Sequence, residues 1–420
     1  MSLATAAAGQ RYEARLLGIS FEHVRAAAVW LMMASSFLVT VEPAPVDLMF
    51  IVSLCLFLSS GLTVSALVAP MIFYLLVYNI GGFISFLEVS NESKASMFVI
   101  TSAYMAVSAI FFAFYIAYDP VKRMVAFKRG YVVGAVIASI IGIAGYFDVG
   151  GYGEVLSPIG RAQGTFKDPN VLSTYLILPA VLLIQEIMLN TKGWKIPRYI
   201  SLLTILACLF LAFSRGAWIS FVVATALMIA FTFVLTPSAQ TRSRIVLLSV
   251  AGLIAVTAML MFLLTIEPVR NLFLDRLTLV KSYDSGEHGR FGIQINSIQF
   301  LLNRPLGFGP TLFRQIFGQD PHNVYLNAFS SYGWLGGITY LMMMISTVVV
   351  GFKAVLMRTP WQNASIVIFC PLLTTILQGV QIDTDHWRHF YWMLGLMWGL
   401  YAASAAYVPM RPAEPGFARG

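Results

Sequence analysis

One polar stretch holds most of the residues that could do chemistry. Between Asp275 and Asn323 the chain reads DRLTLVKSYDSGEHGRFGIQINSIQFLLNRPLGFGPTLFRQIFGQDPHN, with apolar runs on both sides. It carries Arg276, Lys281, Arg290, Arg304 and Arg314, and two of the five histidines, His288 and His322. An imidazole titrates near neutral pH and can take a proton from an attacking hydroxyl. A guanidinium offers a planar fork that suits phosphate. His322 and Asn323 stand where this stretch re-enters an apolar run, so His322 could equally be a capping or hydrogen-bonding residue.

Three further stretches interrupt the apolar background. GRAQGTFKDPN, Gly160 to Asn170, is a turn before a helix start, with Asp168 or Asn170 as the cap. Beyond that turn role, Arg161 and Lys167 could meet an anionic ligand. FSRGAW, Phe213 to Trp218, places the lone Arg215 between two apolar runs. An ionisable residue at or within membrane depth points to function, the alternative being a snorkelling helix end. DTDHWRHF, Asp383 to Phe390, could hold a divalent metal beside a diphosphate through Asp383 and Asp385. So short a match weighs less than interfacial charges beside an aromatic belt of Trp387, Tyr391 and Trp392. The expectation is therefore no metal. Cys55, Cys208 and Cys370 are odd in number and lie in apolar runs, against a disulfide framework or a metal cluster.

The elements that must position these residues are membrane helices. Of 420 residues, 58% are hydrophobic and 11% charged, against about 25% charged in soluble domains. Mean hydropathy is +0.78. The reading is all-α, one polytopic domain over 1–420, in which a net charge of +8 reflects cationic loops on one membrane side, not nucleic-acid binding. Spans need roughly 20 apolar residues. Twelve candidates lie near 24–41, 46–63, 66–87, 97–118, 130–147, 170–189, 199–213, 216–235, 245–266, 324–351, 362–381 and 390–408. The N-terminal stretch, with Arg11 and Arg15, reads as leading into an uncleaved first span, and the C-terminal RPAEPGFARG as a disordered tail. Most Lys and Arg then fall in alternate loops, which places both termini in the cytoplasm. Residues 268–323 become a large outer loop. In it, Phe291, Ile295, Ile298 and Leu302 form one helical stripe, the pattern of a short interfacial helix holding Arg290 near the headgroups, the alternative being a packed lid helix with no ligand role.

Four of these motifs recur in order in a known family: RAQGTFKDPN, SRGAW, RPLGFG and PHNVYL. The chain resembles the bacterial O-antigen ligase and O-antigen polymerase superfamily, by motif over 160–337 and by topology along its length. The resemblance implies a GT-C-like integral-membrane glycosyltransferase at the periplasmic face of the inner membrane. Its donor would be an undecaprenyl-diphosphate-linked glycan, and its acceptor lipid A–core or another lipid-linked glycan. It further implies no cofactor, metal independence, Arg215 and Arg290 at the diphosphate, and His322 as base. Arg161, Lys167, Asp168, Asn323 and Arg276 are the remaining candidates for binding diphosphate or glycan. Ligase, polymerase and protein-glycosylating branches differ in acceptor, with ligase slightly ahead. A lipid-linked glycan flippase is the rival class; it would favour pseudo-repeats and paired broken helices, and the sequence displays neither.

Overall fold

The computed structural model describes residues 15–16, 19–59, 64–193, 195–277, 286 and 289–408. Lys281, His288 and the C-terminal tail from Arg411 lie outside the described residues, as does Arg11. The described chain is helical, apart from a two-residue antiparallel pairing of Arg15–Leu16 with Ile19–Ser20. The helices are α1 (Phe21–Ala34), α2 (Pro45–Leu58), α3 (Ala69–Leu87), α4 (Ser93–Tyr118), α5 (Pro120–Tyr146), α6 (Gly153–Leu156), α7 (Pro169–Met188) and α8 (Lys195–Leu211). They continue with α9 (Arg215–Leu235), α10 (Ala239–Leu263), α11 (Glu267–Leu277), α12 (Arg290–Leu301), α13 (Phe313–Phe317), α14 (Val324–Leu356), α15 (Gln362–Gln378) and α16 (Arg388–Ala405).

Each of the twelve apolar stretches overlaps one of these helices. Seven of the described helices are long and apolar enough to cross a membrane: α3, α4, α5, α7, α9, α10 and α14. The other five, α1, α2, α8, α15 and α16, are shorter or less apolar. Local signals set the starts. Proline occupies the first turn of α2, α5 and α7, where its missing N–H has no intrahelical partner to lose. The side chains of Asp119, Asp168, Ser214, Ser238 and Asn323 cap α5, α7, α9, α10 and α14.

Close helix packing relies on small residues, as expected where lipid removes the hydrophobic drive between helices. A Cβ on Gly395 or Gly399 of α16 would stand 2.1 or 2.2 Å from the carbonyl oxygens of Ala109 and Ala113 on α4. A Cβ on Gly81 of α3 would meet the Gly336 backbone nitrogen of α14 at 2.9 Å. At the other extreme, α10 buries only Ile245 and Leu263. α14 breaks at Gly333 (φ 65°, ψ −169°), a conformation open to glycine, where the Trp334 N–H donates to the Pro305 carbonyl at 2.8 Å. The turn after α12 thus plugs the kink, and Leu301, Phe308, Phe313 and Leu326 form a small separate core beneath it.

Candidate functional site

The C-terminus of α15 is the hub around which the motifs gather. The Gln378 side chain lies beside Thr174 of α7 and Ser220 of α9, at 3.4 and 3.3 Å. A Cβ on Gly216, next to Arg215, would stand 3.2 Å from Gln378 Nε2. The following carbonyl, Gly379, accepts the first N–H of α14, Val324, at 2.8 Å. One helix end therefore sets the spacing of the starts of α7, α9 and α14. Helix starts carry the positive end of the peptide dipole, and at these three the Asp168, Ser214 and Asn323 side chains already take some of the first-turn N–H groups.

Arg161 ties two of these turns together. Its Nε donates to the Ala212 carbonyl at 2.8 Å, and a terminal nitrogen donates to Asn170 Oδ1 at 2.9 Å. Beyond Ala212 the chain turns through Phe213, held at φ 47°, then Ser214, which caps α9, and reaches Arg215 at the first helical position. A non-glycine residue at positive φ is uncommon and is held there by its surroundings.

The second left-handed residue at the hub is His322, at φ 46°. Its restraint is explicit. The Asp383 carboxylate accepts the His322 N–H through Oδ2 and the Asn323 N–H through Oδ1, each at 3.0 Å. Asn323 Oδ1 in turn accepts the N–H groups of Tyr325 and Leu326, capping α14. On the other side, Arg290, first residue of α12, donates to the His322 carbonyl at 3.5 Å and to the Gln381 carbonyl. Gln294, one turn on, donates to the Pro321 carbonyl at 2.8 Å. The histidine peptide is thus gripped between the Asp383 turn and α12.

Electrostatics match that geometry. Burial lowers the His322 pKa, and Arg290 lowers it further; Asp320 and Asp168 oppose the shift, and Arg314 adds to it. The ring is therefore neutral at pH 7 and able to accept a proton. Asp383 is raised to about 8, first by burial and then by the nearby Asp385, against the pull of its two N–H partners. Asp385 is itself buried, accepting from Asn327 Nδ2 at 3.0 Å and lying 3.1 Å from His386 Nδ1. The other ring nitrogen of His386 is 3.1 Å from the Phe98 carbonyl. With an acceptor at each nitrogen, the arrangement suits an imidazolium.

Residues 200–341 match a family model described as O-antigen ligase. This part of the chain is thus similar to the O-antigen ligase family. No curated protein matches the chain. The matched span of this O-antigen ligase domain contains Arg215, Arg276, Arg290, His322 and Asn323, and it ends before the Asp383 turn.

Sequence expectations fare unevenly at residue level. Arg161, Asp168, Arg215, Arg290, His322 and Asn323 come together around the α15 end. Lys167 pairs with Glu42 at the exposed rim. Arg276 lies on α11, its Nε buried with no hydrogen-bond partner among the described residues. The aromatic belt beside Asp383 does not exist: Trp387, Tyr391 and Trp392 are 7%, 0% and 4% exposed and belong to the core. No group of three metal-ligating side chains occurs among the described residues. Sequence reading missed the Asp383 grip on His322, whose only trace is an acid-rich turn in an acid-poor chain. It also missed Asp47, which takes Arg388 bidentately at 2.8 and 2.7 Å and accepts from Tyr104 at 2.7 Å.

Proposed function

We propose that this protein transfers a glycan from an undecaprenyl-diphosphate-linked donor to an acceptor hydroxyl at the periplasmic face of the bacterial inner membrane. The observation that carries the reading is His322, held neutral and left-handed where arginine-bearing helix starts converge, within an O-antigen ligase domain. In this reading the apolar helices make twelve spans of GT-C-like architecture, with both termini in the cytoplasm and 268–323 outside.

His322 takes the acceptor's proton as the oxygen attacks the anomeric carbon. The bond from that carbon to the diphosphate breaks, and negative charge grows on the departing phosphate oxygen. Arg215 and Arg290 stand as the fixed cations for that charge, which strengthens from ground state to transition state. The starts of α7, α9 and α14 add their dipoles, and Arg161, Asp168 and Asn323 keep the turns in register. Lys167 and Arg276 are assigned to the glycan or to the outer part of the diphosphate. In-line attack gives inversion at the anomeric carbon. The proposed reaction needs no metal.

Lipid A–core is the proposed acceptor, making the protein a ligase. Purified protein with lipid-linked donor and either acceptor tests both points. Glycan joined to lipid A–core supports ligation, and lengthened lipid-linked glycan makes the protein a polymerase. Absence of any new glycosidic bond, with flipping of the donor in liposomes, overturns the proposal in favour of transport.

A further inference from the structure

α12 has three faces, and the protein covers one. At about 100° per residue, Arg290, Gln294, Ser297 and Leu301 fall together. Ser297 and Leu301 are buried, and Arg290 and Gln294 bond the turns before α14. A second face carries Phe291, Ile295, Ile298 and Leu302, which are 54%, 63%, 49% and 64% exposed. A third carries Asn296, Gln299 and Asn303, all exposed. Packing within the chain explains the first face, and beside it Ile293, against the small core, and Phe300, against Phe317; it does not explain the other two. A stripe of large apolar side chains beside a stripe of amides is what a boundary between hydrocarbon and water demands.

The surroundings say which boundary. The Trp334 indole N–H donates to the Leu301 carbonyl, the last of α12, at 2.9 Å while its ring remains 40% exposed. Leu335 and Ile338 follow on the outer face of the spanning helix α14, 45% and 50% exposed. Ser85 of α3 donates to the Leu306 carbonyl at 2.7 Å, flanked by Phe83 and Leu87, 56% and 58% exposed. The apolar stripe is therefore continuous with the outward faces of two spanning helices, through a tryptophan placed as interfacial tryptophans are. Arg304 and Arg314 are exposed nearby.

We infer that α12 is seated in the headgroup–acyl boundary of the phospholipid leaflet at the site end of the bundle. Phe291, Ile295, Ile298 and Leu302 enter the lipid, Asn296 and Gln299 face water, and Arg304 and Arg314 lie at the height of lipid phosphates. Because Arg290 starts this helix and bonds the His322 carbonyl, the bilayer surface itself fixes the height of the arginine. The inference stands on exposure and continuity alone and is independent of the proposed reaction.

Spin labels on the full chain in phosphatidylethanolamine–phosphatidylglycerol nanodiscs test it. In a Cys55→Ser background, with the two other thiols buried, single variants Ile295→Cys, Ile298→Cys, Asn296→Cys and Gln299→Cys alter only exposed positions. The expected result is a severalfold higher ratio of oxygen to water-soluble nickel-chelate accessibility at 295 and 298 than at 296 and 299. Equal chelate access at all four positions overturns the inference, because the stripe then faces water. Exclusion of both reagents at 295 and 298 also overturns it, because a second protein copy then covers the stripe.

Discussion

Two carboxylates, at opposite ends of α7, tie the bundle together in different ways. Glu186, near the end of α7, accepts Lys128 of α5 and, at 3.1 Å, Arg198 of α8. Asp383, at the α15–α16 turn, lies at the end where α7 begins, close enough to Asp168 for both to act on His322. It grips the two main-chain N–H groups of His322 and Asn323. Flexible side chains can follow small movements of the helices, so the Glu186 link needs only proximity. A grip on consecutive main-chain N–H groups fixes backbone torsions, and here it fixes a histidine in the left-handed region. The first arrangement serves stability. The second holds the backbone that carries one ring.

The largest effect should come from the ring. His322→Ala should lower turnover by roughly 10²–10⁴-fold, the usual range for a general base, while retaining donor binding by flotation with labelled lipid. Activity near wild type would reduce His322 to a capping residue. Arg215→Lys, measured in the same assay, should lower turnover about a hundredfold or more, since a point charge cannot reproduce the fork. Asp383→Asn turns an amide N–H₂ toward one of the two main-chain donors and loses that bond. A left-handed non-glycine residue carries about 1–3 kcal/mol of strain, so turnover should fall roughly tenfold to a hundredfold with little change in KM. Glu186→Gln should do the reverse. It leaves two half-buried cations without their carboxylate, so melting in detergent should drop while turnover of the folded fraction holds. Equal loss of turnover in the Asp383 and Glu186 variants would erase the distinction between the two ends.

The smallest effect is on pH dependence. The His322 pKa is depressed, so the neutral base is present at pH 7 and protonates only as pH falls below about 6.5, the ordinary histidine value. Protonation of His322 should therefore appear as a fall in rate on the acid side. In Arg290→Gln, residual activity should show that fall at higher pH, because a neighbouring cation no longer opposes protonation. An unshifted acid limb would separate Arg290 from the histidine.

The sequence reveals the helices far better than it reveals what surrounds them. Apolar runs longer than a membrane is thick mark α4 or α14 without ambiguity, and Asp168-Pro169 announces the start of α7. The Phe291, Ile295, Ile298 and Leu302 spacing likewise anticipates the outward stripe of α12. Hydropathy does not separate a side chain facing lipid from one facing protein, and Trp387, Tyr391 and Trp392 were misplaced for that reason. The His322–Asp383 contact spans sixty-one positions and ends on main-chain N–H groups, which every residue but proline has. No residue type on the His322 side advertises it. The kink at Gly333 was equally hidden, since a glycine in an apolar run reads first as a packing residue.

The central claim is that Asp383 acts through His322, and a double-mutant cycle measures this directly. Turnover is compared for the wild type, Asp383→Asn, His322→Ala and the double variant. If the ring is what Asp383 positions, Asp383→Asn should lower the rate in the wild-type background and leave the residual rate of His322→Ala unchanged. Two losses that simply multiply would contradict the account.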